Sequence, residues 1–267
     1  MIAILTIFRT FNRRKATWLA GLFLILSVAA WAFAPSKTLH LVGDSTMANH
    51  PSADTPERGW GQVFHTFFTD DLKIVNHARN GRSTKRFIDE GLWAGVIEIL
   101  NPGDYVFIQF GHNDSKKSDP ARYAAPRGAY RDNLIRFIKD CRAHRANPVL
   151  ITPVCRRKFS KSGEFIDGHG EYPGVVRELC EDFKVPLIDL HLRSMQWLTE
   201  LGPEASDLMF MNAPPGVYKK YPKGKNDNTH FNTRGALEVS KLVIAEMESI
   251  KLPILNFSCE MVHDVQK

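Results

Sequence analysis

Leu39-His40-Leu41-Val42-Gly43-Asp44-Ser45-Thr46 is a mostly apolar run that breaks off into a turn. Gly and Asp both favour turn conformations, so this stretch reads as a buried strand with a serine set just beyond its end. Further β-like runs follow the first, 38–42, at 72–78, 105–110, 148–152 and 186–189. Helical patterns separate them. Tyr130, Leu134, Phe137, Ile138 and Cys141 recur at helical spacing, and residues 172–183 and 190–201 read as two more helices. A last helix starts after Asn232 or Thr233, either a good N-cap, and puts Ala236, Val239, Val243, Met247 and Ile250 on one face. Strands alternating with helices indicate an α/β domain, a parallel sheet covered on both sides.

In open α/β sheets ligands collect beyond the carboxyl ends of the strands. Three polar segments of this chain fall there. The first holds Ser45. The second is Asn76-His77-Ala78-Arg79-Asn80-Gly81-Arg82-Ser83-Thr84, and the third is Gly111-His112-Asn113-Asp114. Late in the chain comes Asp227-Asn228-Thr229-His230, and of the ten histidines only His230 has an Asp three residues before it. Serine, histidine and aspartate are the parts of a nucleophile, its base and an orienting carboxylate. Three residues of separation let Asp227 and His230 point at Ser45 from one turn of chain. Acyl transfer also needs donors aimed at the oxyanion of the tetrahedral intermediate. A glycine N–H can approach closely and an asparagine amide donates without adding charge, so Gly81 and Asn113 fit as donors beside the Ser45 N–H. Asp44 is expected to bond within the strand-end turn. His112 is expected to orient the Asn113 loop, and Asp114 to hold that loop through backbone N–H groups.

These four blocks, Gly-Asp-Ser, a glycine after the second strand, Gly-x-Asn-Asp and Asp-x-x-His, resemble the SGNH (GDSL-type) hydrolase superfamily. Details resemble the rhamnogalacturonan acetylesterases within it: Gly43-Asp44-Ser45-Thr46, Gly111-His112-Asn113-Asp114, the stretch Ile151 to Phe159, and Tyr221-Pro222-Lys223-Gly224 shortly before Asp227. The resemblance covers roughly 39–249. It implies a three-layer, flavodoxin-like sandwich and a serine esterase that removes acetyl groups from an acetylated polysaccharide or oligosaccharide, rhamnogalacturonan in pectin first, with no metal or organic cofactor. The alternatives are a lipid or thioester hydrolase of the same fold and a non-catalytic carbohydrate-binding domain on this scaffold. Because pectin carries galacturonate carboxylates, Arg156 and Arg157 after the fourth strand are candidate substrate contacts, with His169 and Tyr172 as further candidates for the groove. The loops 115–128 and 203–226 are long, and loops of such length are often functional. The second delivers Asp227 and His230 and is expected to wall the cleft.

Net charge is +6 over 267 residues. Arg9, Arg13, Arg14 and Lys15, with no acid among residues 1–34, account for four of those charges. The rest is near balance, which excludes a nucleic-acid footprint. Basic residues followed by the uncharged, apolar run 16–34 read as a signal peptide, with Ala32 the preferred cleavage site, or as an uncleaved N-terminal membrane anchor. Either places the catalytic domain, 35–267, outside the cytoplasm: periplasmic, secreted or tethered. Cys141, Cys155, Cys180 and Cys259 match no zinc spacing and build no disulfide framework. Cys141, on the apolar face of its helix, is expected to be a buried thiol.

Overall fold

The computed structural model describes residues 37–50 and 54–257. The expected signal peptide or anchor and Cys259 lie outside them. The described residues form one unit, and no helix among them is long and apolar enough to cross a membrane.

Five parallel strands make one sheet in the order β2-β1-β3-β4-β5: β1 (Thr38–Gly43), β2 (Lys73–Asn76), β3 (Tyr105–Gln109), β4 (Asn147–Ile151) and β5 (Leu187–Ile188). All five expected strands are present, the second and fifth trimmed. Side chains alternate across the pleat, which divides the core in two. Leu39, Leu41, Phe107, Val149 and Ile151 face one cluster, while Val42, Val106, Ile108 and Leu150 face the other. The first is roofed by α1 (Trp60–Val63), α6 (Leu190–Asp207) and α7 (Thr233–Ser249) through Trp60, Leu198, Val239, Val243 and Met247. The second is roofed by α2 (Thr84–Asp89), α3 (Leu92–Ile97), α4 (Arg131–Ala143) and α5 (Tyr172–Phe183) through Phe87, Trp93, Phe137 and Val175. The result is a three-layer, flavodoxin-like sandwich.

Several expected elements shift. The helix expected over 190–201 runs on to Asp207, with a break at Gly202 (φ 68°, ψ −179°). The loop expected from residue 203 therefore begins only after Asp207. Pro203 directly follows the break, where its missing N–H would find no partner in the preceding turn. The last helix is capped by Asn232, whose side chain accepts from the Gly235 N–H. Cys141, Cys155 and Cys180 are free, buried thiols.

The register aligns Gly43 with Gln109 and Gln109 with Ile151. The chain order reverses between β1 and β3, so their ends flank the switch point where such sheets carry ligands.

Candidate active site

Ser45 follows β1 at that point. The turn is tied to the sheet by a buried relay: Trp60 Nε1 donates to Gln109 Oε1 (2.7 Å), Gln109 Nε2 to Thr46 Oγ1 (2.9 Å), and Thr46 Oγ1 to Asp44 Oδ1 (2.8 Å). The Thr46 N–H also donates to Asp44 Oδ1 at 3.0 Å, the turn bonding expected of Asp44. Burial works against the Asp44 carboxylate, yet His112, 3.3 Å away, and the Thr46 donors hold it below the usual range. Gly43 lets the turn press on the sheet, since a Cβ there would stand 2.7 Å from the Gln109 carbonyl oxygen.

Asp227 and His230 arrive on the segment leading into α7 and meet Ser45 across the chain. His230 Nε2 lies 2.8 Å from Ser45 Oγ, and His230 Nδ1 lies 2.7 Å from Asp227 Oδ2. Asp227 Oδ1 accepts the backbone N–H groups of Thr229 and His230, both at 2.9 Å. Burial opposes the Asp227 charge, but the bonds from the His230 ring and these two N–H groups outweigh it and hold the carboxyl far below its ordinary range. The segment is pinned from both sides. Asn212 Oδ1 accepts the Asp227 N–H (2.7 Å), and the Arg157 N–H and guanidinium both reach Asn228.

Gly81 and Asn113 come from the ends of β2 and β3. Gly81 has φ +77°, the left-handed region that favours glycine, with open space around it. Asn113 is 4% exposed. Its Nδ2 donates to the Arg82 carbonyl (3.0 Å) and its Oδ1 accepts from Arg122 Nη1 (3.3 Å), which fixes the amide's orientation and joins the two loops. Among the described residues the N–H groups of Ser45 and Gly81 donate to nothing else. Asp114 holds the same junction as expected of it, though through a different element: its Oδ1 accepts the Thr84 N–H (2.9 Å) and hydroxyl (2.6 Å) at the start of α2. His112 is buried behind Asn113 and takes no place beside Ser45.

The four candidate substrate contacts all bond within the protein, though His169 Nδ1 is left without a partner among the described residues. Arg156 donates to the carbonyls of His112 (3.0 Å) and Gly168 (3.3 Å). Arg157 reaches Asn228 Oδ1, Ser206 Oγ and the Pro203 carbonyl. His169 Nε2 meets the Val154 carbonyl (2.9 Å), and the Tyr172 hydroxyl sits between the carbonyls of Asp114 and Ala124. His169 and Tyr172 are buried. Sequence reasoning passed over four residues around the triad: His50, whose Nε2 meets the Ser45 carbonyl (3.1 Å), Glu57, Arg122 and Lys225. Only Lys225 carried a local signal, lying two positions before Asp227.

One group of possible metal ligands exists among the described residues, Cys155, Asp167 and His191. It is poorly suited to a metal. His191 Nε2 is bonded to Asp167 (3.0 Å), Arg177 lies 3.4 Å from its other ring nitrogen, and burial lifts the Cys155 thiol to about 12. The nearby guanidinium repels a cation, and the neutral thiol is a poor ligand until it loses its proton.

A hydroxyl hydrogen-bonded to an imidazole that is itself held by a carboxylate can lose its proton as it attacks an electrophilic carbon. Two free backbone N–H groups and an amide on adjoining loops can receive the negative charge that develops on the attacked carbonyl. Comparison with known proteins agrees with that chemistry. The model of the GDSL-like lipase/acylhydrolase family matches residues 41–236. The chain is 39% identical to the rhamnogalacturonan acetylesterase RhgT of Bacillus subtilis over 80% of its own length and 90% of the relative's. It is 34% identical to the probable rhamnogalacturonan acetylesterase YesY of the same organism, over 81% and 94%. The crystal structure of YxiM, also from Bacillus subtilis, superposes with a TM-score of 0.70 at 25% identity, over 81% of this chain and 57% of that one. With the family model spanning most of the chain and two relatives above 30% identity, this protein belongs to the GDSL-like lipase/acylhydrolase family, the SGNH hydrolases, and is a carboxylic ester hydrolase.

Proposed function

We propose that the protein is a carbohydrate acetylesterase that removes acetyl groups from a plant-type polysaccharide, rhamnogalacturonan first, through an acetyl-serine intermediate. The observation that carries this reading is the unbroken hydrogen-bonded line from Asp227 through His230 to Ser45 Oγ, at 2.7 and 2.8 Å. In the first half-reaction Ser45 Oγ attacks the acetyl carbonyl carbon while His230 Nε2 takes the hydroxyl proton. Asp227 keeps the imidazole in the tautomer with a proton on Nδ1 and stabilises the imidazolium as it forms. The N–H groups of Ser45 and Gly81 and one Asn113 Nδ2 proton hold the oxyanion. The tetrahedral intermediate collapses, the sugar oxygen leaves with the proton from His230, and acetate stays on Ser45. Water, deprotonated by His230, then attacks the acetyl-serine, and acetic acid departs as the serine regains its proton. No step calls for a metal or an organic cofactor.

The choice of acetyl esters of rhamnogalacturonan draws on the two relatives so named, which match over most of their own length. Export is part of the same proposal, since polymers of this kind lie outside the cell, and the basic-then-apolar segment 1–34 supports it. The test is acetate release by the purified domain from acetylated rhamnogalacturonan and acetylated xylan, with 4-nitrophenyl esters of increasing acyl length beside them. The reading expects acetate from rhamnogalacturonan in preference to xylan, and rates that fall as the acyl chain lengthens. A preference for long-chain esters would replace it with a lipid-type hydrolase, and activity surviving Ser45→Ala would remove the mechanism.

A further inference from the structure

Behind the triad lies a partly buried ion pair that ester hydrolysis does not by itself require. Glu57 is 5% exposed. Its Oε2 accepts from the Tyr221 hydroxyl and from Lys225 Nζ at 3.0 Å. The same ammonium stands 3.1 Å from Asp227 Oδ2, the oxygen that bonds His230 Nδ1. On its other side Glu57 faces His50, Oε1 to Nδ1 at 3.5 Å, and His50 in turn meets the Ser45 carbonyl. Backbone pairing puts Glu57 there: it bridges Asn232, and the Arg58 N–H donates to the Phe231 carbonyl (3.0 Å), just past His230. The carboxylate's position therefore does not depend on its ion pair.

Lys225 creates an electrostatic problem for the triad. A cation 3.1 Å from the triad carboxylate fixes Oδ2 in place, but it also cancels much of the negative charge that stabilises an imidazolium at His230. Seen from His230, Lys225 and Asp227 alone sum to zero. With Glu57 they sum to one negative charge. We propose that Glu57 is a positioning residue that acts through Lys225, neutralising it so that Lys225 can hold Asp227 while Asp227 keeps its charge toward His230. This rests on the triad reading above. The other ionisable groups around His230 are His50, with ring centroids 6.3 Å apart, Lys220, 3.9 Å from Glu57, and the Asp44–His112 pair behind the oxyanion side. None of these touches Lys225 in place of Glu57. Burial resists charge on Glu57 and Lys225 alike, yet their mutual bond and the Tyr221 hydroxyl keep the acid below and the amine above their usual ranges, so both stay charged.

The experiment compares Glu57→Gln, Lys225→Met and the double variant. The readouts are the pH dependence of Ser45 labelling by a fluorophosphonate and kcat and KM on 4-nitrophenyl acetate, with Tm recorded for each. A unit charge two contacts (Lys225) or three contacts (Glu57) from His230, at an effective dielectric of about 40, biases the equilibrium roughly three- to tenfold. In Glu57→Gln the acid limb of the labelling profile moves about half to one pH unit lower, and kcat falls about three- to tenfold with KM unchanged. Lys225→Met moves the limb the opposite way, and the double variant returns it to the wild-type position. An unmoved limb in Glu57→Gln overturns the proposal, including the case where kcat falls only as Tm falls. Single variants that shift the limb in the same direction, or a double variant that does not return it, also overturn it. Labelling at a serine other than Ser45 breaks the triad reading itself, whereas labelling at Ser45 with an unmoved limb breaks only the role given to Glu57.

Discussion

Asn113→Ala separates chemistry from architecture, because the amide serves both. As an oxyanion donor its loss is felt mainly in the transition state. Removing one such donor costs about 10²–10³ in kcat, or roughly 2.7–4 kcal/mol, with KM little changed. The structural loss is smaller and can be bounded. Nδ2 donates to the Arg82 carbonyl at 3.0 Å, a neutral bond worth about 1 kcal/mol net. The contact from Arg122 to Oδ1 is long, at 3.3 Å, and Arg122 keeps a second partner in Asp119, so it adds about 0–1 kcal/mol. A destabilisation of about 1–2 kcal/mol lowers Tm by roughly 2–8 °C in a domain of this size. That leaves the protein folded at room temperature, given stabilities of about 5–15 kcal/mol. Steady-state kinetics at 25 °C with thermal melts of the same samples therefore resolve the two roles: a fall in kcat of two to three orders of magnitude beside a modest fall in Tm. Retention of kcat within about threefold, or an effect confined to KM, would refute the oxyanion role and make Gly111 to Asp114 an architectural segment only.

Arg157→Ala should act through the loop that carries the triad rather than through substrate. Its guanidinium bonds to Asn228, Ser206 and the Pro203 carbonyl, so its loss should cost roughly 2–3 kcal/mol of stability and lower kcat, leaving KM for acetylated polymer nearly unchanged. A large rise in KM on galacturonate-containing substrate alone would return Arg157 to the role of carboxylate reader. Asp114 gives the fold a pH dependence. Burial raises its carboxyl to about 7 against an unfolded value near 3.8, so the folded state binds the extra proton between these limits. The stabilisation is complete below about pH 4 and fades as pH rises through about 7, with a slope approaching about 1.4 kcal/mol per pH unit. Denaturant melts from pH 5 to 8 should show this decline, and Asp114→Asn should flatten it; an equal slope in both proteins would reject the assignment.

How much of this was legible in the sequence depended on the range of the signal. The strand ending at Gly43 and the pair Asp227–His230 are local patterns, and local patterns of residue type and spacing survive without a structure. The same holds for α4 and α7, long enough for their apolar faces to repeat. Helices α2 and α3, six residues each, are too short to display a helical period. The continuation of α6 past Gly202 was hidden by a glycine–proline pair that normally ends a helix. Arg156 and Arg157 are a different case. A basic cluster after a strand looks the same whether its guanidinium groups face a cleft or thread back to carbonyls, and only the fold shows the carbonyls of His112 and Pro203 waiting for them. Glu57 was invisible for the plainest reason: its partner Lys225 lies far along the chain, and no local pattern joins them.

The central claim is that Ser45 is the nucleophile of an acyl-transfer triad. Peptide mapping by mass spectrometry after reaction with a fluorophosphonate tests it most directly. The account predicts one adduct per chain, on the tryptic peptide carrying Ser45, with none in Ser45→Ala and much slower labelling in His230→Ala. An adduct on any other residue, or unchanged labelling in Ser45→Ala, would contradict it.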